Sequence, residues 1–192
     1  HKTFLSAVAL LDVEVEWLLP REGESYLSCK VSAADVEVRL SAMSEKPTAV
    51  YLTSPDYLGN VADIAAIVEV CHRYDVLLVV DNAHGAYLKF LQPSCHPMDL
   101  GADMCCDSAH KTFPVLTGGA YLHVTEEFAP QCKNALQLFG STSPSYLIME
   151  SLDGANAYLA DGYSEKLAAF AEKVQGLKAR LTALGYTLQG DE

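Results

Sequence analysis

Two short segments hold the ionisable residues best placed for chemistry. The apolar run at residues 76–80 (VLLVV) delivers Asp81 and passes into Asn82, Ala83, His84 and Gly85, and the short run at 103–106 (DMCC) delivers Asp107, Ser108, Ala109, His110, Lys111 and Thr112. A continuous apolar run rich in β-branched residues reads as a strand of a parallel sheet, buried on both faces. Ligands of such sheets collect at the carboxyl ends of the strands. If the two runs are neighbouring strands, a carboxylate and an amine about 30 residues apart face one pocket. A lysine can form a Schiff base with a carbonyl, and an acidic partner keeps a pyridine nitrogen protonated so that the ring accepts electrons, which suits pyridoxal 5'-phosphate. Ser108 and His110 are placed to hydrogen-bond a phosphate or tune the amine, and Ala83 is small enough to let a flat ring lie against the backbone. Taken singly, Asp81 could be a turn or helix-cap residue, Lys111 a solvated lysine, and His84 or His110 a structural histidine; the pattern as a whole is more specific than its parts.

Competing chemistries find less support. His72, His84, His96, His110 and His123 show no HExxH or comparable ligand spacing, so no metal site is expected. There is no GxSxG, no GxxxxGK[ST] and no GxGxxG, which removes support for a serine hydrolase, a P-loop enzyme and a dinucleotide binder.

The elements that must position these residues follow from periodicity. Residues 3–11 carry a helical pattern, 13–19 alternate like a strand before Pro20, and Ser32 to Asp35 resembles a helix start for 36–43. A strand at 48–53 is followed by a helix capped by Asp63, with Ile64, Ile67, Val68 and Cys71 on one face, ending near Tyr74 and Asp75. Strands at 76–80, 103–106 and 119–124 complete the pattern. Strand alternating with helix predicts a three-layer α/β fold, a mostly parallel sheet with helices on both faces. Two helices, 146–159 and 164–184, form the tail; Leu167, Phe170, Val174, Leu177, Leu181 and Leu184 make an apolar stripe expected to pack on the domain itself, and Gly185 stands where a glycine cap belongs.

Composition bounds the function classes. The chain has 192 residues, 25 acidic against 13 basic, for a net charge of −12, and half of it is apolar. An acidic surface disfavours nucleic-acid binding, which relies on clustered Lys and Arg. No apolar stretch approaches the ~20 residues of a membrane span. The six cysteines contain no CxxC pair and read as buried, reduced thiols. No signal peptide is visible, which makes the cytoplasm the expected setting.

Several segments together carry a family resemblance. Residues 51–60 (YLTSPDYLGN), Asp63 with Ile64, residues 80–85 (VDNAHG), 101–103 (GAD) and 108–112 (SAHKT) resemble the ornithine/lysine/arginine decarboxylase family, fold-type I pyridoxal-phosphate enzymes; His1, Lys2 and Thr3 look like that family's histidine-lysine-serine/threonine motif, and 141–146 (STSPSY) like a further segment. The resemblance implies an aminotransferase-like large domain in which Lys111 forms the Schiff base, Asp81 pairs with the pyridinium nitrogen and His1 stacks on the ring. Ser108 and His110 would contact the cofactor phosphate or the substrate side, and His84 stands where some members carry an aromatic residue. Thr142 and Ser143 would approach the phosphate from a partner subunit, so a homodimer or larger homo-oligomer is implied. The expected activity is decarboxylation of a basic amino acid; a lyase, desulfurase or aminotransferase of the same fold type, or a truncated non-catalytic piece, is the alternative. Residues 1–160 would form the cofactor-binding core, and 161–192 a helix leading toward a small domain.

Overall fold

The structure is a computed structural model that describes residues 2–19 and 27–188. A first helix, α1 (Lys2–Leu11), precedes α2 (Ala33–Ala42), and these are followed by β1 (Ala49–Thr53), α3 (Ile64–Arg73) and β2 (Leu77–Asp81). A 3-10 turn at Ala86–Phe90 leads to β3 (Met104–Asp107), the one-turn α4 (Ala109–Thr112) and β4 (Tyr121–Val124). The tail is helical: α5 (Ala129–Phe139), α6 (Tyr146–Ala160) and α7 (Tyr163–Ala183).

The strands form one sheet in the order β1-β2-β3-β4. The first two pairings are parallel and the last is antiparallel. The register aligns Thr53 with Asp81 and Asp81 with Cys106, so one transverse row crosses three strands near their carboxyl ends. The crossover helix α3 starts where the Asp63 carboxylate accepts the Ala66 N–H, and it buries Ile64, Ile67, Val68, Val70 and Cys71. The helix α2 opens with a full capping box between Ser32 and Asp35 and buries Val36 and Leu40. These two helices and the inward residues Val50, Leu52, Leu78, Val80 and Cys105 make the main core. A second cluster forms around Ala86, Ala109 and Phe113, with Phe90, Leu152, Leu159 and Tyr163 packed on it.

Four expectations are corrected. Residues 13–19 form no strand: an alternating pattern needs a neighbour to complete its hydrogen-bond ladder, and the sheet of described residues has none for them. β2 is buried deeply on one face only, since Leu77 and Val79 are half-buried where Leu78 and Val80 are enclosed. The second face receives α1, whose Phe4 stacks on Tyr51 with ring centroids 4.3 Å apart. The stripe on α7 does not pack as a buried face; none of its residues is buried, and Phe170 and Leu177 are 62% and 52% exposed. All six cysteines are free, but only Cys71 and Cys105 are buried, because alternation along β3 turns Cys106 to the opposite face from Cys105. The helix α5 has no counterpart in the sequence reading.

Candidate active site

The site is assembled on the row where β1, β2 and β3 end. Asp81 closes β2 and is buried. Its Oδ1 accepts the N–H of Ala83 at 3.2 Å, a two-residue turn bond, and lies 3.8 Å from the Cys106 thiol. Its Oδ2 accepts the Tyr51 hydroxyl at 2.9 Å. Parallel register explains the meeting: Thr53 sits opposite Asp81, and Tyr51, two residues earlier, points to the same face. Burial, reinforced by the Asp81 charge, pushes the Tyr51 hydroxyl far above the usual tyrosine range, so it stays a donor.

The chain turns sharply after Asp81. Asn82 is buried and its N–H continues the ladder to Cys106 O at 3.0 Å, while the Gly85 N–H closes onto Asn82 O at 2.8 Å. A Cβ on Gly85 would collide with Asn82 Oδ1 and lie 2.6 Å from Pro55 Cδ, so the turn admits glycine alone. This turn presents His84, whose ring meets Tyr57 edge-on at 5.3 Å and whose Nε2 lies 3.3 Å from Lys111 Nζ. Burial first, and then the Lys111 charge, lower the His84 pKa; Asp81 pulls it the other way. The imidazole is therefore neutral at pH 7, and because an ammonium has only donors, its Nε2 accepts from Lys111. Lys111 is exposed in the one-turn helix α4.

The other expected residues are placed as follows. Ser108 stands at the cap position just before α4, half-buried, and its hydroxyl makes no capping bond. His110 is turned toward the β4 side, with Nδ1 2.9 Å from Gly119 O. Thr142 and Ser143 are exposed between α5 and α6, where the hydrogen bonds run between Ser141 and Ser143. His1 lies outside the described residues. Asp81, Ala83, His84 and Lys111 thus share one edge, and Thr142 and Ser143 are not joined to it by these bonds.

Sequence reasoning missed Tyr51 and Cys106, and it missed a second carboxylate centre beside the first. Asp107 Oδ1 accepts from Asn82 Nδ2 at 2.7 Å, while Oδ2 receives His96 Nε2 at 3.1 Å and His123 Nε2 at 3.0 Å. Burial raises the Asp107 pKa, but hydrogen bonds from His123, His96 and Asn82 outweigh it and hold the carboxyl at about 2. The three side chains are close enough to hold a metal ion, an arrangement that their spacing along the chain does not signal. The contacts of His96 fit a hydrogen bond donated to the carboxylate. The Met98 N–H donates to His96 Nδ1 at 3.3 Å, which leaves the ring proton on Nε2, aimed at Asp107. Alternation from His123, paired opposite Cys105, is the signal that could have located this centre once the register was known.

Comparison with known proteins places this geometry in a family. The model for "Orn/Lys/Arg decarboxylase, major domain" matches residues 1–183. The chain is 34% identical over 193 residues to a Bacillus subtilis (strain 168) protein named YaaO, covering 96% of this chain and 39% of that one. It is 32% identical over 179 residues to an arginine decarboxylase of Halalkalibacterium halodurans, covering 88% of this chain and 36% of the relative. It therefore spans well under half the length of these relatives. Among solved structures, the SepCysS–SepCysE N-terminal domain complex superposes with a TM-score of 0.71 at 15% identity, over all of this chain and 53% of the other, a likeness of fold. The fold is that of the fold-type I, aminotransferase-like α/β domain, and the cofactor that the family implies is pyridoxal 5'-phosphate. With the family model spanning residues 1–183, the aspartate at the end of β2 and the lysine on the one-turn helix that follows the neighbouring β3, the chain belongs to the Orn/Lys/Arg decarboxylase family, within its major domain.

Proposed function

We propose that this chain carries the cofactor-binding core of a pyridoxal-phosphate-dependent decarboxylase of a basic amino acid, lysine, arginine or ornithine, with Lys111 as the Schiff-base amine. The observation that carries the reading is geometric: the Lys111 amine lies 3.3 Å from Nε2 of His84, on the turn that follows the buried Asp81 at the end of β2. The donor set fits the cofactor. An aldehyde needs an amine open to the site, a pyridine nitrogen needs a buried carboxylate, and a flat ring needs neighbours without bulk, which Lys111, Asp81 and Ala83 supply. When bound, the cofactor supplies an electron sink for the pair left behind as a carboxyl group departs as carbon dioxide.

The chain's own residues hold and orient. Asp81 would bind the ring nitrogen, Lys111 would attach the cofactor, and His84, neutral and fixed against Tyr57, would line the ring and accept a proton from the lysine side. Ser108 and His110 would contact the phosphate or the substrate side, and His1 would stack on the ring. Thr142 and Ser143 would serve a second copy of the chain; Leu138, Phe139, Tyr146 and Leu147, exposed on both sides of them, support a homodimer through that segment. The net charge of −12 favours the approach of cationic substrates.

Borohydride reduction of the protein with added cofactor tests the reading. The cofactor mass should appear on the peptide containing Lys111 and vanish in Lys111→Ala; label on another lysine, or none, overturns the assignment. Product analysis separates the reactions, since carbon dioxide with an amine marks a decarboxylase and a keto acid marks another fold-type I reaction. Cofactor attachment without turnover of any of the three amino acids would identify a non-catalytic piece.

A further inference from the structure

Among the described residues, three groups contact the Asp81 carboxylate. The Ala83 N–H is a local turn bond, and the Cys106 thiol is a weak donor at 3.8 Å. The remaining contact, at 2.9 Å, comes from Tyr51 on the neighbouring strand, 30 residues away. We propose that Tyr51 is a positioning residue for cofactor binding: its hydroxyl fixes the orientation of the carboxylate that is to meet the ring nitrogen.

The proposal rests on the assignment of Asp81 to the ring nitrogen and adds a residue to it. Tyr51 is itself immobilised. Phe4 stacks on its ring with planes 17° apart, and Trp17 meets Phe4 edge-on at 6.1 Å, so α1 and the segment after it clamp the ring against the sheet. The freedom of the tyrosine ring is therefore lost on folding, not on binding. A carboxylate oxygen carries two acceptor positions, so the Tyr51 proton on Oδ2 leaves one vacant, and donor and ring nitrogen do not compete. Burial, with the Asp81 charge beside it, keeps the hydroxyl protonated at neutral pH.

Tyr51→Phe removes the donor and keeps the ring stacked on Phe4. Equilibrium dialysis of the wild type and the variant with pyridoxal 5'-phosphate, and with its deaza analogue in which carbon replaces the ring nitrogen, separates positioning from general structure. A hydrogen bond to a charged group is strong enough for the variant to bind the natural cofactor about tenfold more weakly. The deaza analogue, which has no ring nitrogen for Asp81 to meet, should bind wild type and variant within about twofold. In an Asp81→Ala background, Tyr51→Phe should change nothing further. Equal weakening toward both compounds, or none toward either, overturns the proposal. Failure of the wild type to bind the natural cofactor at all would remove the cofactor reading of Asp81 and Lys111 and the role of Tyr51 with it, whereas normal binding by both proteins removes the role of Tyr51 alone.

Discussion

Replacing Asp107 tests whether the network beneath the site stabilises the fold. The carboxyl is held at about 2 against an ordinary 3.8. At about 1.4 kcal/mol per pH unit, the gap corresponds to about 2 kcal/mol of stability. Because the pKa is depressed in the folded state, this contribution is complete above the unfolded value near 3.8 and is lost as the pH falls through about 2. Asp107→Asn keeps the shape and removes the charge, so it should cost about 2 kcal/mol at pH 7, and the cost should shrink at pH 3. Asp107→Ala should cost more, about 4 kcal/mol, since it strands the buried Asn82 amide and His96 Nε2 at about 1–3 kcal/mol each in addition to the lost bonds. Urea unfolding followed by circular dichroism at pH 7 and pH 3 measures both; with a slope of about 2 kcal/mol per molar urea, Asp107→Asn should move the midpoint by about 1 M at pH 7. An unchanged midpoint at pH 7, or a deficit equal at both pH values, would refute the reasoning.

Other outcomes follow from single contacts. Gly85→Ala drives a methyl group into Asn82 Oδ1 and Pro55 Cδ and should cost about 1–3 kcal/mol, read as a lowered thermal midpoint; a variant as stable as the wild type would show that the turn can relax. Ile67→Ala, at a fully enclosed position of α3, should cost about 2–5 kcal/mol in chemical denaturation, and a loss below 1 kcal/mol would mean that the core collapses around the cavity. Burial and the Lys111 charge lower the His84 pKa below its ordinary 6.5, so the fold disfavours the protonated ring and loses stability as the pH drops through the unfolded value. His84→Gln should therefore flatten the decline in stability between pH 7 and pH 5, and an unchanged slope would count against this assignment.

What was legible in the sequence was local. The residues 76–80 could hardly be anything but a strand, and Asp63 before a helical apolar face announced α3, since both signals lie within one element. The pairing of Asp81 with the lysine-bearing segment was also legible, because short parallel connections make successive strands neighbours. Tyr51 and Asp107 were hidden for the opposite reason. The partner of Tyr51 lies 30 residues away and those of Asp107 lie 25, 11 and 16 residues away, and the register of the sheet, which no single strand encodes, brings the strand-borne ones together. The alternation at 13–19 misled because periodicity records a face, not a partner. The same limit applies to α7, whose stripe was readable while the surface it would cover was not. The helix α5 carries a proline in its first turn and buries no residue, so its pattern offered little apolar contrast.

The separation of the two hydrophobic clusters bears on how the molecule opens. The buried members of the large cluster all lie between residues 36 and 105, whereas α7 contributes no buried side chain and α6 only Ala155. Amide hydrogens of α6 and α7 should therefore exchange through sub-global fluctuations that leave β1, β2 and α3 closed, while those of α3 and β2 exchange only when the whole domain unfolds. The strand ends that carry Asp81 and Tyr51 belong to the slow-exchanging unit, and Lys111, on the one-turn α4 whose Ala109 packs in the small cluster with Tyr163, sits on its boundary with the fast one.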